Sequence, residues 1–279
     1  MPNHGTVVIT GASTGIGRAT AVRLARGGFD VLAGVRREVD GAALRGDDGR
    51  IEPVLVDVTD AGQVAGLAER VADAPLAGLV NNAGIAVAGP LEGIPLDDVR
   101  RQYEVNVFGL LAVTQALLQS IRAGHGRIVN IGSIGGRIHT PFVGPYTSSK
   151  AAVRSLSAAL RRELRPWDIR VALVEPGALD TPIWRKGEEG AEETIGALPE
   201  RVRTLYARQL AALVAATRTI AAGASSPDDA AQAVEHALTA ARPRTLYTVG
   251  RGARIQGALH SVLPARTFDA LVARAMKSG

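Results

Sequence analysis

The sequence contains no cysteine, which excludes disulfide bonds, thiolate metal sites and thiol nucleophiles. Aromatic residues make up only 4% of the 279 residues, and the lysines are just three, Lys150, Lys186 and Lys277. No apolar run reaches the roughly eighteen residues of a membrane span. The strand pattern that starts close to Met1 predicts that no signal peptide is present. These absences favour a globular cytoplasmic enzyme.

The net charge of +5 raises the question of nucleic-acid binding. The basic residues are scattered among acids, as in the Arg-Arg-Glu-Leu-Arg stretch at 161–165, and they form no stripe interleaved with aromatics. No nucleic-acid partner is therefore expected. Small anionic molecules suit this positive field better.

Short apolar strands alternate with longer helical patterns, which predicts an α/β fold with a Rossmann-like, doubly wound parallel sheet. The predicted strands are 6–10, 30–35, 51–56, 77–80, 127–131, 169–174 and 245–249. The predicted helices are 15–26, 61–72, 96–120, 147–164 and 227–240. Neither a repeat nor a linker divides the chain, so residues 1–250 are expected to form one domain.

Two stretches depart from this strand–helix rhythm. Residues from about 178 to 225 form a long insertion of largely helical pattern, which we interpret as a structured substrate flap. Residues 251–279 form an amphipathic extension with apolar side chains among arginines. The extension is expected to pack on its own domain or on a second subunit, and weak contact with a membrane surface is the alternative.

Tyr146 and Lys150 are four residues apart on one predicted helix, so they share a face. Because the chain has only three lysines, chance would rarely place one of them four residues after a tyrosine. A nearby ammonium favours the phenolate, and the pair therefore predicts a tyrosine that donates and accepts protons near neutral pH.

A glycine-rich turn, Thr-Gly-Ala-Ser-Thr-Gly-Ile-Gly at 10–17, follows the first strand. Gly11 allows a tight exit from the strand, Gly15 allows close approach of a pyrophosphate, and Gly17 lets the helix lie close to the sheet. The free N–H groups at the start of the helix suit phosphate. We predict a dinucleotide site here.

The end of the second strand predicts which dinucleotide binds. A carboxylate there would bind a ribose 2′-hydroxyl, but the chain has Gly34 followed by Arg36 and Arg37. Guanidinium groups match phosphate oxygens in geometry and charge. NADP(H) is therefore predicted over NAD(H).

Together these motifs resemble the short-chain dehydrogenase/reductase family, in its single-domain branch, over residues 6–249. The further motifs that carry the resemblance are Asp57-Val58, Asn82-Ala83-Gly84, Asn106, Ser133 and Pro176-Gly177 leading to Thr181. The segment from Ser133 to Trp167 is most similar to the steroid- and retinol-acting members.

The resemblance implies a catalytic set of Asn106, Ser133, Tyr146 and Lys150. Tyr146 would exchange a proton with the substrate oxygen, which Ser133 would orient. Lys150 would lower the tyrosine pKa and bind the nicotinamide ribose, while Asn106 would bend its helix and hold a relay water.

The resemblance also implies cofactor contacts along the ends of the strands. These are Gly11, Ser13, Thr14, Gly15, Ile16, Gly17, Arg36, Arg37, Asp57, Val58, Asn82, Ala83, Gly84, Tyr146, Lys150, Pro176, Gly177 and Thr181. No metal site is expected, and pairing of the long helices would give a homodimer or homotetramer.

Apolar residues are expected around the substrate: Ile134, Ile138, Phe142, Val143, Leu179, Ile183 and Trp184. They predict a small hydrophobic carbonyl or alcohol substrate, such as a steroid, a retinoid or a lipid-like aldehyde or ketone. A 3-ketoacyl-carrier-protein reductase is the alternative enzyme. A non-catalytic NADP(H)-sensing binding protein is the alternative of a different class.

Overall fold

A computed structural model describes residues 4–44, 49–72, 74–180, 196, 198–222 and 224–277. Its strands are β1 (Thr6–Ile9), β2 (Asp30–Val35), β3 (Ile51–Leu55), β4 (Leu76–Asn81), β5 (Arg127–Ile131), β6 (Arg170–Pro176) and β7 (Leu246–Val249). Within the described residues they form one parallel sheet, in the order β3-β2-β1-β4-β5-β6-β7. The strand order reverses beside β1, and such a switch point is where doubly wound folds bind ligands.

Helices cover both faces of this sheet. They are α1 (Gly15–Arg26), α2 (Glu38–Ala42), α3 (Ala61–Val71), α4 (Leu96–Tyr103), α5 (Gly109–Ala123), α6 (Gly135–Ile138), α7 (Gly144–Glu163), α8 (Glu200–Ala222), α9 (Pro227–Thr239), α10 (Arg251–Val262) and α11 (Ala265–Lys277). A π-helical turn, Glu104–Phe108, joins α4 to α5, and a 3₁₀ turn, Arg165–Trp167, follows α7. The predicted doubly wound α/β fold is confirmed.

The core has one layer on each face of the sheet, as the alternation of side chains along a strand requires. Val7 of β1 belongs to the layer under α1 and α9, whereas Val8 belongs to the layer under α3 and α5. Both valines are fully buried. Continuous apolar strands of this kind are needed because neither face meets water.

The predicted elements agree with the structure to within a few residues, with one interruption and several additions. The predicted helix 96–120 is broken by the π turn at Glu104–Phe108. The helical pattern predicted in the insertion corresponds to α8, and the amphipathic extension to α10 and α11. The short helices α2 and α6 were not predicted, because four or five residues carry no periodic pattern.

The helical stretch Leu96–Ala123 is apolar and long enough to cross a membrane by length and composition. Half of its most apolar window is buried, however, and Val113, Leu117 and Ile121 pack in the core layer against the sheet. A buried core helix meets the same criteria. In the part of the chain that is described, no other helix meets them.

The carboxy-terminal extension packs on the rest of the chain. Helix α10 contacts β7 and α6, and α11 contacts α8. The inner side of α10 is lined by Ala253 and Gly257, both buried. Of the two predicted settings, packing on its own domain is therefore observed, while the division of the chain at residue 250 stays a prediction.

Candidate active site

Ser133, Tyr146 and Lys150 lie together beyond the carboxyl end of β5. Ser133 follows that strand by two residues, and the other two lie one turn apart on α7. The buried Lys150 Nζ donates a 2.9 Å hydrogen bond to Ile131 O and lies 5.9 Å from the centroid of the Tyr146 ring. Tyr146 and Ser133 share a side-chain hydrogen bond. The predicted acid–base pair is thus joined to the predicted serine.

Two glycines of α6 allow the serine turn to lie against α7. A Cβ on Gly136 would lie 2.8 Å from Lys150 O, and one on Gly135 would lie 3.3 Å from Ser133 Oγ. The N–H of Gly135 donates to Ser133 Oγ at 3.0 Å. That bond orients the hydroxyl oxygen. These glycines were missed, although the Gly-Gly pair directly after Ser133-Ile134 was a visible signal.

Burial shifts the pKa values of Tyr146 and Lys150 in opposite directions. Desolvation raises the pKa of the Tyr146 phenol, and the hydrogen bond with Ser133 offsets only part of that rise. Desolvation also lowers the pKa of Lys150 to about 8. The predicted lowering of the tyrosine pKa by Lys150 is therefore not produced by the protein's own groups. Near neutral pH the phenol is a neutral proton donor beside a lysine that is mostly charged.

Asn106 lies in the π turn that interrupts the long helix. Its Oδ1 accepts a 2.9 Å hydrogen bond from Ile85 N, and its Nδ2 donates to Ile85 O and to Ser149 Oγ, each at 3.1 Å. Turns of this kind often mark functional sites. The helix is interrupted by the π turn at Asn106, and the predicted bend of its axis stays a prediction. The predicted relay water stays a prediction, and the amide of Asn106 is engaged with the loop after β4.

Gln102, one turn before Asn106, was missed by the sequence analysis. It is fully buried, donates to Ile85 O at 2.7 Å and accepts from Val87 N at 2.7 Å. Together the two amides hold the backbone of the loop after β4 in place. A glutamine in an amphipathic helix resembles a surface residue, so the sequence carried no signal of this role.

The glycine-rich turn adopts the backbone that its residues predict. Gly11 and Gly15 have φ of +64° and +55°, in the left-handed region that favours glycine. A Cβ on Gly17 would lie 2.3 Å from Gly11 O, so α1 could not approach the strand with any larger residue. The side chain of Asn82 donates to Gly11 O at 2.9 Å, which ties the turn to the loop after β4.

The amino terminus of α1 opens onto this turn. Thr14, the N-cap residue, has an extended backbone, and its side chain makes no capping hydrogen bond. The first N–H groups of the helix are therefore uncapped by that side chain, as an anion site at a helix start requires. Ser13 and Ile16 lie half-buried in the same turn.

The two arginines after β2 differ in their environment. Arg37 is held by Asp40 through two hydrogen bonds, of 2.8 Å from Nε and 2.7 Å from Nη2. Arg36 is exposed and forms no ion pair with any residue that the structure describes. A Cβ on Gly34 would lie 2.7 Å from Val56 Cγ1, so this position has no room for a carboxylate side chain.

The residues after β3 are partly occupied by their own loop. Asp57 Oδ1 accepts hydrogen bonds from Thr59 N at 3.0 Å and from Thr59 Oγ1 at 2.7 Å. Val58 is buried against Gly109, on which a Cβ would come within 2.5 Å of it. The contacts predicted for Asp57 and Val58 with an adenine stay predictions.

The remaining predicted cofactor residues lie at the ends of β4 and β6. Ala83 N donates to Thr10 Oγ1 at 3.1 Å, and a Cβ on Gly84 would lie 3.6 Å from Lys150 Nζ. Pro176 ends β6, and Gly177 N donates to Val249 O at 2.9 Å. Thr181 lies outside the described residues.

The predicted apolar wall of the substrate site is corrected in part. Ile134 and Leu179 are buried, with 6% and 2% of their surface exposed, and Leu179 belongs to the core layer under α1. Ile138, Phe142 and Val143 are half-buried and remain candidates. Ile183 and Trp184 lie outside the described residues. Leu179 was misassigned because an apolar residue after a strand has the same pattern in a core and in a pocket.

Three observations test whether a nicotinamide dinucleotide suits this edge of the sheet. The start of α1, which the Thr14 side chain leaves uncapped, offers phosphate donors, and Gly17 allows the close approach that gives space. Arg36, which has no ion-pair partner among the described residues, offers a cation. The residues present therefore fit the group. Among the described residues, no three His, Cys, Asp or Glu side chains are grouped as a metal site requires.

Comparison with known proteins places the chain among oxidoreductases. The family model described as short chain dehydrogenase matches residues 5–192. Retinol dehydrogenase 5 of Mus musculus is 36% identical over 95% of this chain and 87% of its own length.

Two solved structures are similar over nearly the whole chain. A short chain dehydrogenase from Burkholderia cenocepacia J2315 in complex with NADP has a TM-score of 0.74 and 27% identity, covering 98% of this chain and 99% of that chain. A short chain dehydrogenase/reductase from Burkholderia phymatum in complex with NAD has a TM-score of 0.75 and 26% identity, covering 92% of each chain. With the family match and the identity to the mouse protein, these findings show that the chain belongs to the short-chain dehydrogenase family.

Proposed function

We propose that the protein is an NADP(H)-dependent oxidoreductase that interconverts a hydrophobic ketone or aldehyde and its alcohol by hydride transfer. The observation that carries this proposal is the contact between Ser133, Tyr146 and Lys150 at the sheet edge that also holds the glycine-rich turn. Proton-transfer groups and a dinucleotide cradle at one edge are the two components that carbonyl reduction requires.

The cofactor, when bound, supplies or accepts the hydride. Tyr146 then donates its proton to the carbonyl oxygen, which suits a phenol that desolvation keeps neutral. The Ser133 hydroxyl, oriented by Gly135 N–H, adds a donor aimed at the developing oxyanion. The Lys150 ammonium beside the ring stabilises the phenolate left behind, provided that the pH is below its pKa of about 8.

The preference for NADP(H) rests on Arg36. The neighbouring Arg37 is already neutralised by Asp40, whereas Arg36 pairs with no acid among the described residues and can donate to an external anion. Since the similar structures include both NADP and NAD complexes, the family by itself does not decide between the two cofactors. The assignment therefore depends on this arginine and on the absence of room for a carboxylate at Gly34.

A lipophilic substrate is supported by the apolar side chains of Ile138, Phe142 and Val143 between Ser133 and Tyr146. The similarity to a retinol dehydrogenase points the same way. We place steroid-like, retinoid and lipid-like carbonyls first. The proposed homodimer or homotetramer, the weak membrane contact and the cytoplasmic location all stay predictions.

The test is NADPH oxidation against ketosteroids, retinal, alkyl aldehydes and 3-ketoacyl thioesters, with Tyr146→Phe beside Tyr103→Phe as matched variants. We expect turnover on a lipophilic carbonyl that Tyr146→Phe abolishes and Tyr103→Phe keeps. A clear preference for acyl thioesters would favour the carrier-protein reductase instead. Tight NADPH binding without turnover on any class would favour a sensing protein.

A further inference from the structure

Glu175 is a fully buried carboxylate one residue before Pro176, at the carboxyl end of β6. Its side chain is 1% exposed. Buried acids are rare and need charged or hydrogen-bonding partners, because desolvation of an unpaired carboxylate is costly. The partners of Glu175 come from the two segments that carry the proposed catalytic groups.

Arg137 and Arg154 hold opposite oxygens of this carboxylate. Arg137 Nε lies 2.9 Å from Oε2, as a close ion pair whose N–H is not aligned for a hydrogen bond. Arg154 Nη1 donates a hydrogen bond to Oε1. The side chain of Arg137 is 17% exposed, so the Arg137–Glu175 ion pair is largely shielded from water.

Both arginines are placed by the catalytic segments themselves. Arg154 lies four residues after Lys150 and eight after Tyr146 on α7, so the three share one face of that helix. Arg137 lies in α6, four residues after Ser133. The carboxylate therefore joins the serine turn and the catalytic helix to the end of β6.

We propose that Glu175 is a positioning residue. Through its ion pairs with Arg137 and Arg154, it fixes Ser133 and the Tyr146–Lys150 pair relative to the strand end at Pro176. This inference rests on the proposed function for its effect on turnover. A buried ion pair adds little net stability compared with apolar residues of the same volume. Its contribution here is the relative placement of three segments.

Helix α10 packs against the same Arg137–Glu175–Arg154 network. A Cβ on the buried Gly257 would lie 3.1 Å from Arg137 Nη1 and 3.2 Å from Ile134 Cδ1. One turn earlier, Ala253 lies against Gly177, where a Cβ would come within 2.8 Å of its Cβ. The carboxy-terminal extension thus contacts both Arg137 and the end of β6 at Gly177. We therefore include α10 among the elements that position the catalytic groups.

The first experiment compares Glu175→Gln with Glu235→Gln, which breaks the Arg23–Glu235 ion pair between α1 and α9. We expect Glu175→Gln to lower kcat about 10- to 100-fold, as a displaced catalytic group does, with the Kd for NADPH changed by less than about 2-fold. Arg137→Lys should recover part of the kcat that Arg137→Gln loses. Wild-type kcat in Glu175→Gln at a temperature where it is folded would overturn the proposal.

Hydrogen exchange of residues 133–138 gives a readout that does not need a substrate. Glu175→Gln should speed exchange there, and Glu235→Gln should not. If the wild-type protein turns over no carbonyl, the proposed function fails, while this exchange difference still supports the positioning link. Unchanged exchange in Glu175→Gln would contradict that link whether or not the enzyme is active.

The second experiment tests α10 with two glycines of the same helix. Gly257→Val places a side chain against Arg137, whereas Gly252→Val meets nothing within 4 Å. We expect a fall in kcat only for Gly257→Val, with the Kd for NADPH kept. Equal kcat values for the two variants would show that α10 does not help to position the catalytic groups.

Discussion

Arg36 provides the sharpest test of the proposed cofactor. In Arg36→Gln the position keeps a polar side chain but loses the cation that faces no acidic partner among the described residues. A hydrogen bond to a charged group contributes about 1.5–3 kcal/mol, and the exposure of Arg36 places the expectation toward the lower value. The Kd for NADPH should therefore rise at least about 10-fold.

The matched variant is Arg37→Gln, at the arginine already held by Asp40. Titration of protein fluorescence with NADPH and with NADH gives all of the dissociation constants. Arg36→Gln should weaken NADPH alone, because NADH has no 2′-phosphate, and Arg37→Gln should have the smaller effect. Equal weakening of both cofactors, or tighter NADH binding by the wild-type protein, would refute the assignment.

Three further predictions follow from the geometry. The kcat/KM for carbonyl reduction should fall as pH rises through about 8, where Lys150 loses its proton. The Lys150→Arg variant should show no such fall with pH, even if its kcat/KM is lower throughout. Gly17→Ala should abolish dinucleotide binding in a fluorescence titration, because its Cβ would lie 2.3 Å from Gly11 O, whereas Gly66→Ala meets nothing within 4 Å and should bind normally. Gln102→Leu should lower the free energy of unfolding in urea by about 1–3 kcal/mol, since Val87 N loses its acceptor while Ile85 O keeps the hydrogen bond from Asn106 Nδ2; a loss below the error of the measurement would contradict this reading.

The sheet and the placement of Tyr146 beside Lys150 could be predicted because their signals are local. Apolar strands buried on both faces read as continuous runs, and the predicted bounds of β2 and β5 match the observed ones. Tyr146 and Lys150 lie one turn apart on a helix, so their spacing alone places them on one face. The glycines at 11, 15 and 17 sit where a positive φ or a close approach requires them.

The supporting contacts could not be predicted, because they join residues far apart in the chain. Glu175 directly follows the predicted apolar strand 169–174, and nothing near it in sequence indicates Arg137 or Arg154 as its partners. Gln102 resembles any polar residue of an amphipathic helix until the loop after β4 is in place. The effect of burial on the pKa of Tyr146 likewise depends on the packed site, and spacing alone predicted the opposite direction.

The central claim is that Tyr146 exchanges the proton that accompanies hydride transfer. Its most direct test is a single-turnover measurement with NADPH and the best carbonyl of the panel, in the wild-type protein and in Tyr146→Phe. General acid catalysis predicts a loss of about 100-fold or more in the hydride-transfer rate, with an unchanged Kd for NADPH. Hydride transfer at the wild-type rate in Tyr146→Phe would contradict the account.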